Sequence, residues 1–399
     1  MGHRYKFDRL EAAGSLGDLG TLLPIAIGMI LINGLDPCGL FFSIGLFYIL
    51  AGIYFGVTVP IQPMKVIGAY AIATGVNASQ ILASGVLMAL ILLLIAATGA
   101  VNVLGRYTPK SVVRGVQLST GAILMAQGVQ FMMGTSKFQG IRQVAEPYLT
   151  LQSLGPIPIG IVIGVVGGLL TLFLLDNKRL PAGLVLILCG ILIGLGLGTH
   201  QGFGKLQIGI HLPKILPFSI PSGPDFSLAF LLLVLPQIPM TLGNAVVAYA
   251  DLSREYFGEA SDRVTYRSAC ISMALANFIS FLTGGMPLCH GAGGLAAHYR
   301  FGARTAGSNL IIGSFFIILV VLLGKHMLSI LYLVPMSILG VLLLFAGGQL
   351  ALTIIDLKDR KELFVTLAML GITLASNLAA GFIAGLIIAY LLKSTRMNI

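Results

Sequence analysis

Apolar runs near the ~20 residues that cross a bilayer as a helix recur from one end of the chain to the other. They predict fourteen segments, seven on each side of a polar loop. The first seven lie at 13–33, 38–56, 63–77, 79–103, 112–133, 156–175 and 181–198, and the second seven at 226–250, 266–283, 289–299, 305–324, 327–350, 362–375 and 377–392. Segments 63–77 and 289–299 are too short to span a bilayer as helices, which rise ~1.5 Å per residue.

The composition is typical of an all-α polytopic membrane protein. Hydrophobic residues make up 57% of the chain and charged residues 10%, against about 25% charged residues in soluble proteins. The four cysteines and six histidines show no metal-binding spacing. The sequence also lacks a phosphate-binding loop and a nucleophile–base motif, so we expect no cofactor, no metal and no enzymatic activity.

The basic residues predict the orientation. With the N-terminus in the cytoplasm, 18 of the 24 Lys and Arg residues fall on the cytoplasmic side and five outside, as the positive-inside rule requires. The net charge of +10 then reflects topology rather than nucleic-acid binding, and both termini are predicted to be cytoplasmic, in a plasma or inner membrane. The cytoplasmic set is Arg4, Lys6, Arg9, Arg106, Lys110, Arg114, Lys178, Arg179, Arg254, Arg263, Arg267, Arg300, Arg304, Lys358, Arg360, Lys361, Lys393 and Arg396, the outer set is Lys137, Arg142, Lys205, Lys214 and Lys325, and Lys65 alone falls within the membrane.

The two halves show a weak internal repeat. An offset of 227 residues places VPIQPMKVIGA over MPLCHGAGGLA, so that both short segments occupy the same position in their halves. Paired short segments at corresponding positions are typical of transporters built from inverted repeats. We therefore predict a first repeat at 1–198, an outer loop at 199–225 and a second repeat at 226–399.

The short segments contain breaks in the helical pattern. Pro60 and Pro63 preclude a continuous helix, which predicts an extended piece over 57–61 and a helix from about Pro63. The second half predicts an extended piece over 284–288 and a helix from about Cys289 or His290. We expect the two extended pieces to pair with each other, because unpaired backbone is not tolerated at membrane depth.

Two helices that begin at mid-membrane predict an anion site between them. A helix N-terminus offers free N–H groups and about half a positive charge. Lys65 adds a full charge, and a lysine within a bilayer is costly unless it is paired or functional. The glycines of GAGG, 291–294, allow close approach of a ligand to the backbone.

Other polar residues in the spans leave their roles open. Asp18 is predicted to pair with Lys65, to carry a coupling proton, or to cap a helix break. Gln237, Thr241 and Asn244 share one helical face, which favours either a cavity or hydrogen bonds between helices. His290 is predicted either to donate to an anion or only to cap its helix.

The stretches GSLGDLGTLLPI, VPIQPMK, LPQIPMTLGNAV and MPLCHGAGGLAAHYRFGARTAGSN resemble the molybdate transporter family, a branch of the sulfate permease superfamily. The resemblance covers nearly the whole chain. It implies seven-plus-seven inverted repeats with two half-helices preceded by short strands, divided into a core (13–108 and 226–326) and a gate (109–198 and 327–392). The substrate-binding residues that it implies together with the polar pattern are Ser15, Gly17, Asp18, Gln62, Pro63, Met64, Lys65, Gln237, Thr241, Asn244, Cys289, His290, Gly291, Ala292 and Gly293.

The chain also departs from common relatives within that superfamily. It ends at Ile399 without the cytoplasmic regulatory domain of typical sulfate permeases, which leaves the oligomeric state open, with a homodimer as one option. The eighth segment has Asn244 at depth and its first acid only at Asp251, which disfavours the usual proton-coupling route.

We therefore predict a secondary transporter of a tetrahedral oxyanion, with molybdate as the leading substrate and molybdenum present only within that anion. Sulfate, tungstate or another small anion remains an alternative, as does an anion channel. A nucleobase permease is disfavoured, because no acid lies deep in the eighth segment.

Overall fold

The computed structural model of the chain describes residues 5–101, 109–175, 177, 180–198 and 208–393. Six of the basic residues used to predict the orientation lie outside these ranges, as do 199–207 of the predicted outer loop and the boundary of the predicted core at 102–108. These basic residues are Arg4, Arg106, Lys178, Arg179, Lys205 and Arg396.

The described chain is mostly helical. The first half contains α1 (Arg9–Ser15), α2 (Leu19–Leu31), α3 (Pro37–Phe55), β1 (Gln62–Pro63), α4 (Lys65–Thr74), α5 (Ala78–Thr98), α6 (Lys110–Met133), α7 (Lys137–Arg142), the hairpin β2 (Ser153–Leu154) and β3 (Ile157–Pro158), α8 (Ile159–Leu174) and α9 (Ala182–Leu197). The second half contains α10 (Gly223–Ser261), α11 (Tyr266–Thr283), β4 (Leu288–Cys289), α12 (Ala292–Arg300), α13 (Ala306–Leu323), α14 (Met327–Leu331), α15 (Met336–Ala351), α16 (Arg360–Ala375) and α17 (Leu378–Leu392).

Several helices have the length and composition of membrane spans. Within the described residues, six helical stretches are long and apolar enough to cross a membrane, and four apolar helices of 10–17 residues are shorter. The short ones are α4, α8, α9 and α17.

Some predicted segments are divided or displaced in the structure. The first one is broken at 16–18, between α1 and α2. The predicted segment 327–350 was wrong as a single helix: it splits into α14 and α15, because Pro335 immediately before α15 cannot continue a preceding helix. Within α10, wider π turns at Phe230–Val234 and Thr241–Val247 flank Pro236 and Pro239, whose missing N–H groups interrupt the regular ladder.

The two extended pieces pair as predicted, but both half-helices begin later than predicted. β1 and β4 are antiparallel, with Gln62 opposite Cys289 and Pro63 opposite Leu288. Pro63 therefore lies in the strand rather than in the first helical turn. Met64 continues the ladder by donating its N–H to the Pro287 carbonyl at 2.9 Å, which delays the start of α4 to Lys65.

The register of this pairing matches the internal offset in the sequence. Gln62 lies opposite Cys289, the residue that the offset of 227 equates with it. The residues preceding the two half-helices, Met64 and Gly291, are related by the same offset. An antiparallel pair in which equivalent residues face each other is the geometry expected at a twofold axis between inverted repeats.

Two buried asparagines form hydrogen bonds with the extended backbone on both sides of the β1–β4 pair. Asn309 accepts from the N–H of Val59 at 2.9 Å and donates to its carbonyl at 2.8 Å. Asn277 does the same for Leu288, at 3.0 and 2.9 Å. The carboxamide replaces the strand neighbour that each residue lacks, which removes the cost of unpaired polar groups in an apolar interior.

We expect Asn277→Leu and Asn309→Leu to destabilise the protein, by about 1–3 kcal/mol for each backbone group left unpaired at Leu288 or Val59. The measurement is the melting temperature of the purified protein in detergent. Gln130→Leu is the matched control, because this side chain is exposed on α6 and donates no hydrogen bond within the described chain. Equal melting temperatures for all three variants would refute the assignment.

Candidate functional site

A cavity of about 440 Å³ separates two groups of helices. One wall consists of α2, β1, α4, α10 and α12 with the turn that precedes α2. The opposite wall consists of α6, α8, α9 and α15 with the connection between α8 and α9. We call these the half-helix wall and the opposite wall.

The structure places six of the fifteen candidate site residues at the cavity and nine behind its surface. The six are Gly17, Asp18, Gln62, Lys65, Asn244 and Gly293. The nine are Ser15, Pro63, Met64, Gln237, Thr241, Cys289, His290, Gly291 and Ala292.

Lys65 and Asn244 are the half-buried polar side chains of the half-helix wall that make no hydrogen bond to the described protein. Lys65 is the first residue of α4. The ion pairs within the described ranges join Asp356 to Lys110 and Arg114, so no carboxylate lies within 4.0 Å of the Lys65 ammonium. A full positive charge at the positive end of a helix therefore faces the cavity without a paired acid.

Asp18 pairs with a glutamine rather than with Lys65. The Nε2 of Gln62 donates to Oδ2 of Asp18 at 2.6 Å, and both side chains are buried. The Asp18 side chain makes no capping hydrogen bond to α2. Two of the three roles predicted for Asp18, the helix cap and the ion pair with Lys65, are thus absent from this geometry.

The glycines before and within α12 make room for this pair. A Cβ on Gly291 would lie 1.7 Å from Oε1 of Gln62, and a Cβ on Gly294 would lie 2.6 Å from Oδ2 of Asp18. A Cβ on Gly293 would have no atom within 4 Å. Gly291 and Gly294 are therefore required by the packing of Gln62 and Asp18, whereas Gly293 opens to the cavity.

The N-terminus of α4 is partly occupied by the protein itself. Oε1 of Gln237 accepts from the N–H groups of Val66 and Ile67 at 3.0 and 3.3 Å, and Nε2 donates to the Thr241 hydroxyl at 2.9 Å. The expectation that both half-helices offer free amide ends was therefore wrong for α4. Gln237 acts as its cap, because a side-chain oxygen relieves unpaired first-turn N–H groups, and Thr241 holds the Gln237 amide in place.

His290 serves the extended backbone and neither donates into the cavity nor caps α12. Its Nδ1 lies 3.0 Å from the Pro60 carbonyl, which only accepts, so Nδ1 carries the proton. Nε2 then accepts from the Ser272 hydroxyl at 3.0 Å. The ring stacks between Phe47 and Tyr249, so both predicted roles for His290 were wrong.

Polar residues of the opposite wall were missed by sequence reasoning. Gln117 and Gln349 are the carboxamides that the helices of this wall present to the cavity, and Gln349 lies in an otherwise apolar segment, a signal that was available in the sequence. The further polar cavity residues are Thr21, Thr171, Asn177, Arg300 and Thr353.

Comparisons with known proteins agree on a family and a fold. A family model described as a molybdate transporter of the MFS superfamily matches residues 10–124 and 229–350. Molybdate transporter 2 of Arabidopsis thaliana is 32% identical over 425 residues, which cover 96% of this chain and 87% of the relative.

Two solved structures share the fold. The transmembrane domain of the cyanobacterium bicarbonate transporter BicA matches with a TM-score of 0.64 at 15% identity, over 94% of this chain and 97% of that one. The murine anion transporter Slc26a9 in its inward-facing state matches with a TM-score of 0.68 at 14% identity, over 99% and 70%. At these identities the likeness shows the fold alone.

We expect Gly294→Ala to displace the Gln62–Asp18 pair and to lower stability by about 1–3 kcal/mol, the cost of leaving a buried polar group unpaired. The melting temperature in detergent measures the effect. Gly293→Ala is the control and should melt with the wild type, because its added methyl group enters open space. The interpretation fails if the two alanines destabilise equally.

Proposed function

This chain belongs to the molybdate transporter family, and we propose that it is a secondary transporter that takes up molybdate. It is an integral membrane protein and an anion transporter. The proposal for this chain is specific: the anion binds in the cavity against Lys65, Asn244 and the open backbone at Gly293.

The observation that carries the proposal is the Lys65 ammonium at the start of α4, which faces the cavity and forms no ion pair within 4.0 Å in the described part of the chain. An ammonium group within a membrane protein is costly unless an anion compensates it. The helix dipole adds to its field, and the Asn244 amide supplies a neutral donor on the same wall of the cavity. A compact dianion has oxygen atoms on every side, so it can accept hydrogen bonds from Lys65, from Asn244 and from the backbone at Gly293 at the same time.

The fold supports a proposal about movement. We propose fourteen segments in two inverted repeats of seven, with the core at 13–108 and 226–326 and the gate at 109–198 and 327–392. The antiparallel pairing of equivalent residues in β1 and β4 supports the inverted repeat. The half-helix wall belongs to the core and the opposite wall to the gate, so an elevator movement of the core along the gate would carry the anion across the membrane.

The cavity also suggests which side is open. It extends to Asn177, Arg300 and Thr353, near the connections that the positive-inside rule assigns to the cytoplasm. We propose that both termini are cytoplasmic and that the structure is open inward. A homodimer stays a prediction.

Selectivity among oxyanions rests on donor placement rather than on cavity size. A cavity of about 440 Å³ exceeds the volume of any single tetrahedral oxyanion, so it does not exclude sulfate or tungstate by size. Competition by sulfate, tungstate and bicarbonate against molybdate binding separates these substrates. Slow saturable flux in proteoliposomes indicates a carrier, whereas non-saturating conductance in planar bilayers indicates a channel.

We expect Lys65→Ala to weaken molybdate binding about tenfold or more, because a charge-assisted contact is worth about 1.5–3 kcal/mol. Purified protein gives the dissociation constant, and elemental analysis of proteoliposomes gives the uptake. Lys137→Ala, which removes an exposed lysine at the start of α7, is the matched control. Unchanged binding in Lys65→Ala would mean that the charge has no part in the site.

A further inference from the structure

We propose that Gln117, on the gate side of the cavity, is a second binding residue for the transported anion, with Arg114 and Thr353 as positioning residues that turn its amide N–H groups toward the cavity. The inference rests on the proposed function and adds a donor from the opposite wall. It concerns a part of the cavity that the half-helices do not form.

The hydrogen bonds of Gln117 fix which end of its carboxamide faces the cavity. Its side chain is 3% exposed and lines the cavity. Nη1 of Arg114 lies 2.7 Å from Oε1 of Gln117. A guanidinium only donates, so the atom that it contacts must be the oxygen, and the nitrogen must point the other way.

A second donor holds the same oxygen. The Thr353 hydroxyl lies 3.0 Å from Oε1 of Gln117. Nε2 of Gln117, by contrast, donates to no acceptor among the described residues. A donor without a protein partner needs an acceptor from solvent or from a ligand, and the cavity that Gln117 lines is where such an acceptor would lie.

Arg114 is itself held in place. Its Nε donates to Oδ1 of Asp356 at 2.9 Å, and Lys110 lies 3.0 Å from Oδ2 of the same carboxylate. Nη2 of Arg114 also donates to Oδ2 of Asp356, so the rigid, planar guanidinium binds the carboxylate at two points. The chain of contacts from Asp356 through Arg114 to Gln117 therefore orients one amide.

Gln117 lies close to the core residues that would hold the anion. A Cβ on Gly243, next to Asn244, would meet the Val113 side chain at 3.5 Å. Gln117 is four residues after Val113 on α6, hence about one turn, or ~6 Å, further along the same face. The anion between Lys65 and the gate would therefore have amide donors on both walls.

The test compares Gln117→Glu and Gln117→Leu by molybdate binding to purified protein. Glutamate keeps the shape and gains an ion pair with Arg114, but it presents an acceptor and a negative charge to the cavity. We expect about tenfold weaker binding for the leucine variant, from loss of one donor to a charged ligand, and still weaker binding for glutamate. The expected affinity order is glutamine, then leucine, then glutamate.

A purely structural role predicts a different order. The glutamate variant would then be the better tolerated of the two, since it keeps its contact with Arg114. Thr171→Val is the matched control, because Thr171 lines the same cavity but its hydroxyl donates to the Gly167 carbonyl of its own helix at 2.8 Å. It should bind like the wild type.

The outcomes separate this inference from the proposed function. If wild-type protein does not bind molybdate in the same assay, the proposed function fails. If wild-type protein binds and Gln117→Glu binds as well as the wild type, or better than Gln117→Leu, the inference about Gln117 is overturned. Melting temperatures of the variants show whether weaker binding reflects loss of folded protein.

Discussion

The pairing of backbone polar groups at the crossing of β1 and β4 is the constraint on which the rest of the structure depends. A bilayer interior supplies no water to an N–H or carbonyl that a helix leaves unpaired. The chain can start α4 and α12 from extended strands in an apolar interior only because each strand has a partner and because Asn277 and Asn309 take the place of the missing neighbours. His290, which resembles a ligand residue in the sequence, is also used to pair this backbone.

The residues that satisfy this backbone give the starts of α4 and α12 different surroundings. Gln237 occupies two first-turn amides of α4, while Gln62 and Asp18 fill the space beside Gly291 and Gly294 at α12. The first turn of α4 is thus capped, whereas α12 stays open to the cavity at Gly293. The attraction for an anion then comes from the Lys65 charge, from this open backbone and from side-chain amides around the cavity. The lysine and the amides have no counterparts at the offset of 227 residues.

Sequence patterns predicted the pairing of β1 with β4 better than they predicted the roles of the candidate site residues. Proline positions and the offset of 227 residues are local signals, and they were enough to predict that the two extended pieces pair. The helix starts were misplaced because pairing continues through Pro63 to Met64, which depends on the partner strand. The roles of Gln237 and His290 depend on which amide or carbonyl lies beside each of them in three dimensions, and no spacing along the chain encodes that.

The two groups of helices that line the cavity are held together by packing rather than by the side-chain hydrogen bonds of the wall. The side-chain hydrogen bonds of the wall stay within a group: Gln62 binds Asp18 on one side, and Gln117 binds Arg114 on the other. Where the groups meet at the cavity margin, Gly183 lies so close to Gly20 that a Cβ on it would be 2.3 Å from the Gly20 Cα. Contact between bare backbones presents no side chain to interlock at this point, whereas elsewhere Val66 and Met240 of one group pack with Val112 and Val116 of the other. An anion held by donors from both groups would have to leave one set before it could travel with the other.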